Sequence, residues 1–380
     1  MLKFKASEDK DMLKYFEVKN FRGFENTISL DFSKHRDYSF HDEFIKNNII
    51  NKGVIYGKNG AGKSNLGLAL FDIVNHLTDK LKQAVTPYQH GDFLSDNAEF
   101  KYIFQFDTNE VLYEYSKKDQ LSAVKERLFI NDELIIDYDF YNKEHTILNL
   151  PEAVTLRGVE ELRAQQSLVK YIYTNTSLPE EHILSRLVKF VNNMLWFRSV
   201  KDNQFMGLNE NPGQLSEILE NKNAVKTFEQ FLYGIDKNLK YNLSIEHDAL
   251  GRKYLAANYK DGVKLPFNMI ASTGTLSLWL FYCWTLDFDK VSFLFIDEFD
   301  AFYHYETAEY ILDYINSKPG FQSLVTTHNT SLMNNQIIRP DCCFIVSENQ
   351  AIRSLPDCTE KELREAHNLE RMYKNDGFKV

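Results

Sequence analysis

The sequence predicts an α/β protein with a mixed central sheet, an antiparallel β subdomain beside it and a compact helical insertion. Three observations carry that expectation. Residues 57–64, Gly-Lys-Asn-Gly-Ala-Gly-Lys-Ser, complete the pattern G-x-x-x-x-G-K-[ST] between an apolar strand and a helix. Residues 293–300 are an apolar run ending in carboxylates, as expected of a strand buried on both faces. Between residues 100 and 139 apolar and polar side chains alternate with period two, and from about residue 150 the period becomes helical.

Composition bounds the answer. A chain of 380 residues with 43% hydrophobic and 14% aromatic content can fill one large core or two moderate ones. A formal charge of −10 argues against a broadly basic surface; a local basic groove could still coexist with it, so nucleic acid is not indicated but not excluded. The four cysteines, Cys283, Cys342, Cys343 and Cys358, show no C-x-x-C spacing and read as reduced core thiols. No apolar leader opens the chain and no run of 18 apolar residues occurs, so a cytoplasmic location without membrane is expected.

Taken in order, residues 1–13 are polar and expected to fray. Tyr15 to Phe24 and Thr27 to Phe32 alternate as two paired strands, with Arg22-Gly23 near their turn. An arginine there can reach phosphates or simply lie solvated on the turn. Residues 34–49 read as loop. Gly53-Val-Ile-Tyr is the strand before the glycine-rich loop, and Leu66, Leu70, Ile73 and Leu77 repeat at helical spacing behind it. Residues 82–97, with Pro87, Gly91 and Asn97, form a connection. Phe100, Tyr102, Phe104 and Phe106, then Val111, Tyr113 and Tyr115, then Arg127 to Asp139 around Asn131-Asp132 make an antiparallel meander.

Ser177-Leu-Pro-Glu180 reads as a capping box opening a helix with Ile183, Leu184, Leu187, Val188, Val191 and Leu195 on one face. Leu215, Ile218 and Leu219, then Phe228, Phe231 and Leu232, suggest two short helices ending in an αL cap at Gly234. No heptad is sustained, so the region is a compact insertion and not a coiled-coil arm. Strands follow at 241–247, 252–259 and 263–268, then a helix over Leu276 to Trp284. The domain reading is 1–149 for an amino-terminal lobe with the loop and meander, 150–240 for the helical insertion and 241–380 for a carboxy-terminal lobe.

The chemistry is concentrated in four motifs. In the loop, Gly57, Asn59, Gly60, Ala61, Gly62, Lys63, Ser64 and Asn65 can surround a polyphosphate: the glycines turn N–H groups inward, Lys63 reaches the β- and γ-phosphates, and the Ser64 hydroxyl ligates Mg2+. At the end of Phe293-Leu-Phe-Ile-Asp-Glu, Asp297 is expected to hold Mg2+, directly or through water, and Glu298 is placed to orient or deprotonate a water. A carboxylate pair capping the helix from about Tyr305 to Ile315 is the bland alternative. Gln322 to His328 is a strand ending in His328, a candidate γ-phosphate sensor. Ala271-Ser-Thr-Gly-Thr275 is a serine-glycine turn opening a helix, itself an anion site.

The order of a Ser-x-Gly turn, an Asp-Glu strand and a strand ending in His resembles the signature, Walker B and switch motifs of ABC-type ATPases. Ser272, Gly274 and Thr275 are similar to the Ser-Gly-Thr form of non-transporter relatives. With Asn20-Phe-Arg-Gly-Phe24, Asp297-Glu-Phe-Asp-Ala-Phe-Tyr-His304 and the tail Leu363 to Tyr373, the chain resembles compact ABC-type P-loop ATPase heads of bacterial antiphage and abortive-infection systems. Relatives are those of the overcoming-lysogenization-defect, Septu and PARIS systems, and more distantly RecF and SMC heads. The resemblance implies an ATP hydrolase using ATP and Mg2+, with Glu298 and His328 catalytic. It also implies a homodimer or higher even-numbered assembly in which Ser272, Gly274 and Thr275 of one chain act in trans on ATP held by the other.

The function so implied is a regulatory ATPase of a toxin–antitoxin-like defence system, controlling a separately encoded effector, a nuclease by class. The 52 residues after His328 are too few for the Toprim nuclease of overcoming-lysogenization-defect enzymes, so effector chemistry is expected in trans. Arg364 and His367 are closer than the HEPN ribonuclease spacing and read as a solvated face. The alternative is a RecF-like DNA-repair ATPase that clamps DNA on binding ATP. A transporter subunit is disfavoured by the nonstandard signature and the long middle region, and GTP by the missing Asn-Lys-x-Asp motif.

Overall fold

The computed structural model describes residues 11–80, 85–143, 146–153, 156–198, 205–208, 222–347 and 350–379. Its strands are β1 (Met12–Lys19), β2 (Ile28–Asp31), β3 (Ile45–Lys46), β4 (Ile49–Ile50), β5 (Lys52–Tyr56), β6 (Ala98–Phe106), β7 (Asn109–Lys117), β8 (Ala123–Ile130), β9 (Glu133–Asp139), β10 (Ile147–Leu148), β11 (Leu195–Arg198), β12 (Phe205–Gly207), β13 (Leu243–His247), β14 (Lys253–Asn258), β15 (Lys264–Pro266), β16 (Phe293–Asp297), β17 (Gln322–Thr327), β18 (Cys343–Val346) and β19 (Ile352–Ser354). Its helices are α1 (Lys63–Leu70), α2 (Asp72–Leu77), α3 (Leu168–Asn175), α4 (Ile183–Asn192), α5 (Lys222–Ile235), α6 (Phe267–Ile270), α7 (Thr273–Thr285), α8 (Tyr305–Asn316) and α9 (Leu369–Lys374).

Two seven-stranded sheets dominate among the described residues. The central one runs β12-β11-β16-β17-β5-β18-β19. Its five inner strands are parallel, and the edge strands β12 and β19 are antiparallel to their neighbours. Both faces of the inner strands are covered, which explains the fully buried patterns of β5, β16, β17 and β18. The parallel arrangement sends the carboxyl ends of β11, β16, β17 and β5 to one edge, where open α/β sheets bind ligands. The second sheet, β10-β9-β8-β7-β6-β1-β2, is antiparallel throughout. The meander therefore joins the first hairpin in one sheet.

Helix α1 lies between the two sheets. On one side Gly67 lets it approach the central sheet so closely that a Cβ there would stand 2.6 Å from Phe295 and 2.9 Å from the Trp196 indole nitrogen. On the other, the Tyr102 hydroxyl of β6 donates to the Ala69 carbonyl at 3.1 Å. Gln322 ties the sheets a second time: its amide accepts from Leu13 N–H at 2.9 Å and donates to the Leu13 and Ile50 carbonyls at 2.9 and 3.0 Å. Helix α7, apolar on all sides, is buried against the opposite end, with Trp284 stacked on Phe197 at 5.8 Å and Trp279 edge-on to Phe228 at 4.6 Å.

Several local expectations are corrected. Met12 and Leu13 are not frayed but buried members of β1; residues 1–10 lie outside the described residues. Within 34–49, a short hairpin forms from β3 and β4. The capping box at Ser177 does not open α4; His182 does, its ring nitrogen accepting from Leu184 N–H at 3.3 Å after a turn through Pro179. Leu195 is not on that helix but begins β11, because its neighbours Trp196 and Phe197 pair with Phe295 and Ile296 inside the sheet. Gly234 is no αL cap: α5 continues to Ile235, and Gly234 is small because the Tyr310 hydroxyl packs where a Cβ would be, at 2.9 Å. Leu215, Ile218 and Leu219 lie outside the described residues. The four cysteines are buried and unbridged.

Candidate functional site

The glycine-rich loop connects β5 to α1. Gly60 and Gly62 have φ of 82° and 104°, left-handed values that L residues adopt only at a cost, and Phe24 packs where a Gly62 Cβ would be, at 2.8 Å. Alternating hand along the loop is the geometry of an anion nest. Asn59 and Gly60 are exposed at its rim while Gly57 is buried against Val346. The Lys63 ammonium donates to the Gly57 and Lys58 carbonyls at 2.7 and 3.1 Å. Burial holds its pKa below the ordinary value, against the pull of Glu298, Asp297 and Asp300, so the cation faces the carboxylates at the strand ends.

Arg22, with φ of 51° at the tip of the first hairpin, donates from Nε to the Asn65 side chain at 2.8 Å. The turn arginine is thus docked on the first turn of α1, and Asn65 is spent on holding it.

Asp297 ends β16, fully buried. The Thr326 hydroxyl donates to its Oδ1 at 2.9 Å and accepts from the Glu298 N–H at 2.8 Å, so one side chain on β17 orients both acids. Asp297 Oδ2 has no hydrogen-bond partner among the described residues. Burial raises the Asp297 pKa, and the neighbouring Ser64 and Thr326 hydroxyls pull it back down. A buried carboxylate with a free oxygen beside a serine hydroxyl fits a hard divalent cation such as Mg2+, which takes oxygen ligands. Glu298, the residue after β16, sits with φ of 50°, a left-handed conformation rare for a non-glycine residue.

Sequence reasoning missed three groups here. Thr326 and Thr327 are the hydroxyls behind the acids, and Thr327 donates to Asp300 Oδ2 at 2.8 Å. Asp300 is itself buried, its pKa raised by burial and its Oδ1 unpartnered among the described residues. Arg198, at the end of β11, donates to Glu298 Oε2 at 3.1 Å. A Thr-Thr pair ending the neighbouring strand was a readable signal for the first two. Arg198 gave none, because its strand is only four residues long.

His328 follows β17 directly and is exposed, beside the edge where Thr327 registers with Tyr56 just before the loop. Ser272 is the N-cap of α7, its hydroxyl accepting from Thr275 N–H at 3.1 Å. Ser272 is exposed and Gly274 half-buried against the Phe302 carbonyl, where a Cβ would stand at 3.0 Å. Thr275 is buried, its hydroxyl 2.9 Å from Ser272 Oγ, so it braces the turn and does not face outward.

A parallel sheet with a glycine nest, Lys63 and an acid pair at its carboxyl edge is the arrangement of a P-loop nucleotide-binding ATPase domain of the AAA type, a class that binds nucleotide and typically Mg2+. The model of the family described as "AAA domain, putative AbiEii toxin, Type IV TA system" matches residues 54–334, and the chain belongs to that family. No curated protein matches the chain. Among solved structures it is similar to the SMC head domain from Thermotoga maritima, at 14% identity and a TM-score of 0.42 over 90% of this chain and 98% of that one. An SMC head bound to the C-winged helix domain of ScpA aligns at 14% identity and 0.45, covering 91% and 98%. An SMC head with an extended coiled coil bound to the C-terminal domain of ScpA from Pyrococcus furiosus aligns at 13% and 0.40, covering 91% and 96%. No described helix is long and apolar enough to cross a membrane.

Proposed function

We propose that the chain is the ATP-hydrolysing regulatory subunit of a bacterial antiphage, toxin–antitoxin-like system, in which two copies close head to tail around two ATP molecules and control a separately encoded effector, a nuclease by class. The observation that carries the chemistry is the convergence of the loop nest, Lys63 and the Asp297–Glu298 pair at one sheet edge. The toxin–antitoxin wording of the family description supports the defence setting.

In this reading the N–H groups of residues 57–64 cradle the phosphates, and Lys63 turns from the loop carbonyls to the β- and γ-phosphates. Ser64 and Asp297 would hold Mg2+, which would supply charge neutralisation to the transferred phosphoryl group. Thr326 keeps Glu298 aimed, and Glu298 takes a proton from the attacking water, a contribution on the order of a hundredfold or more in rate. His328 and Arg22 approach the same phosphates from the neighbouring strand and the first hairpin. Ser272 and Gly274 of the second copy cap the γ-phosphate with the positive end of α7. Loss of that phosphate removes what the two copies share, so hydrolysis becomes a change of assembly that an effector can read.

Native mass spectrometry of tagged Glu298→Gln, isolated from its own host with ATP and Mg2+, tests the proposal. An even-numbered ATPase assembly with a stoichiometric second protein supports it. A dimer carrying nucleic acid and no second protein points instead to a DNA-clamping ATPase. A Glu298→Gln chain that stays monomeric and turns over ATP normally removes Glu298 from the role of base.

A further inference from the structure

Arg198 stands one strand outboard of the acid pair, on the side away from the phosphate loop. Its register partner across the parallel ladder is Asp297. From there its guanidinium spans both acids: Nη2 is 3.1 Å from Glu298 Oε2, and Nε is 3.8 Å from Asp297 Oδ2, the buried oxygen with no hydrogen-bond partner among the described residues. The side chain is 46% exposed, so it can leave this position for solvent without opening the core. Lys63 and Arg198 thus balance the carboxylate cluster from opposite sides, one tethered to the loop and the other movable.

A cation held by Ser64 and Asp297 would compete with that guanidinium for the Asp297 and Glu298 carboxylates. Metal and guanidinium cannot both occupy the same carboxylate oxygens, and a half-exposed ion pair holds the arginine only weakly. We propose that Arg198 is a positioning residue that acts as a displaceable counter-ion: it holds Glu298 in an ion pair and gives it up when the metal–nucleotide complex is seated, so that the base is released only on a loaded site. The proposal rests on the ATPase reading of this site. Its consequence is an order of events: Arg198 leaves Asp297 and Glu298, then Glu298 engages water. A chain without the guanidinium should accept the metal more readily, because nothing has to be expelled.

The test uses the full chain as wild type, Arg198→Gln and Arg198→Lys, with Mn2+ as the metal probe and AMP-PNP as the nucleotide. Mn2+ affinity of the nucleotide-loaded chain is read by electron paramagnetic resonance, and the half-saturating Mg2+ for ATP turnover is measured alongside. Arg198→Gln should bind Mn2+ about three- to tenfold more tightly and lower the half-saturating Mg2+ by a similar factor, while Arg198→Lys, which keeps the charge, stays within about twofold of wild type. A merely structural role would make both variants alike. Unchanged or weaker Mn2+ binding in Arg198→Gln, with wild type binding and hydrolysing normally, overturns this inference alone. A wild-type chain that binds no metal–nucleotide complex overturns the ATPase reading and this inference with it.

Discussion

Two groups of buried charge in this chain are treated in opposite ways. Beneath the antiparallel sheet, Asp72 of α2 accepts from Tyr88 at 2.9 Å, Tyr115 at 3.0 Å and Lys117 at 2.6 Å. Nearby, Glu126 of β8 accepts from Tyr113, Ser167 and the Leu168 N–H, each at 3.1 Å, and faces His76 at 3.2 Å. Every carboxylate oxygen there has a partner. At the edge of the central sheet, Asp297 and Asp300 are also buried, yet each keeps an oxygen without one among the described residues. A buried carboxylate with both oxygens hydrogen-bonded stabilises and specifies packing, whereas one with an unpaired oxygen is open to a ligand. Among these four acids, hydrogen-bonding of the carboxylate oxygens therefore separates scaffold from site, even though His76 Nε2 in the scaffold group also has no hydrogen-bond partner among the described residues.

The comparison can be broken by mutation. The largest effect is expected from Lys117→Met, which leaves Asp72 charged and uncompensated; a loss of about 3–5 kcal/mol in urea unfolding follows from breaking a buried pair. A loss below about 1 kcal/mol would erase the distinction drawn here. Next, Glu298→Gln should slow ATP hydrolysis by about a hundredfold, or roughly 2.7 kcal/mol, with an unchanged unfolding midpoint. Asp297→Asn should act in the opposite direction to Lys117→Met: gain about 1 kcal/mol of stability without ligand by removing a buried charge, while losing the stabilisation that Mg2+ and nucleotide confer. Thermal unfolding with and without ligand reads both halves.

The smallest effect is a pH dependence. Burial depresses the His76 pKa below its ordinary 6.5, against the opposing pull of Glu126. As pH falls below that value, the unfolded chain takes up a proton that folded His76 refuses until its own lower pKa is reached. Stability should therefore decline across that window, by at most about 1.4 kcal/mol per pH unit. His76→Asn should flatten the slope in urea unfolding between pH 7 and 5.

Local pattern and global arrangement divide the rest. The loop at 57–64, the acid strand and the meander were legible because each is a contiguous segment whose period or spacing has a local physical cause: glycines for φ above zero, an unbroken apolar run for two-sided burial, alternation for a half-buried strand. What the tertiary structure alone decided is which segments meet. Leu195 read as the last residue of a helix face because four residues are too few to show a strand period, and only pairing with β16 made Leu195–Arg198 a strand. That pairing put Arg198 against Glu298, 100 residues away in sequence. Thr326 acquired its place between Asp297 and Glu298 in the same way, through the β16–β17 ladder. Sequence by itself determined the residue types and the local geometry of the motifs. Long-range strand pairing decided their partners, because its energy comes from contacts that no local window contains.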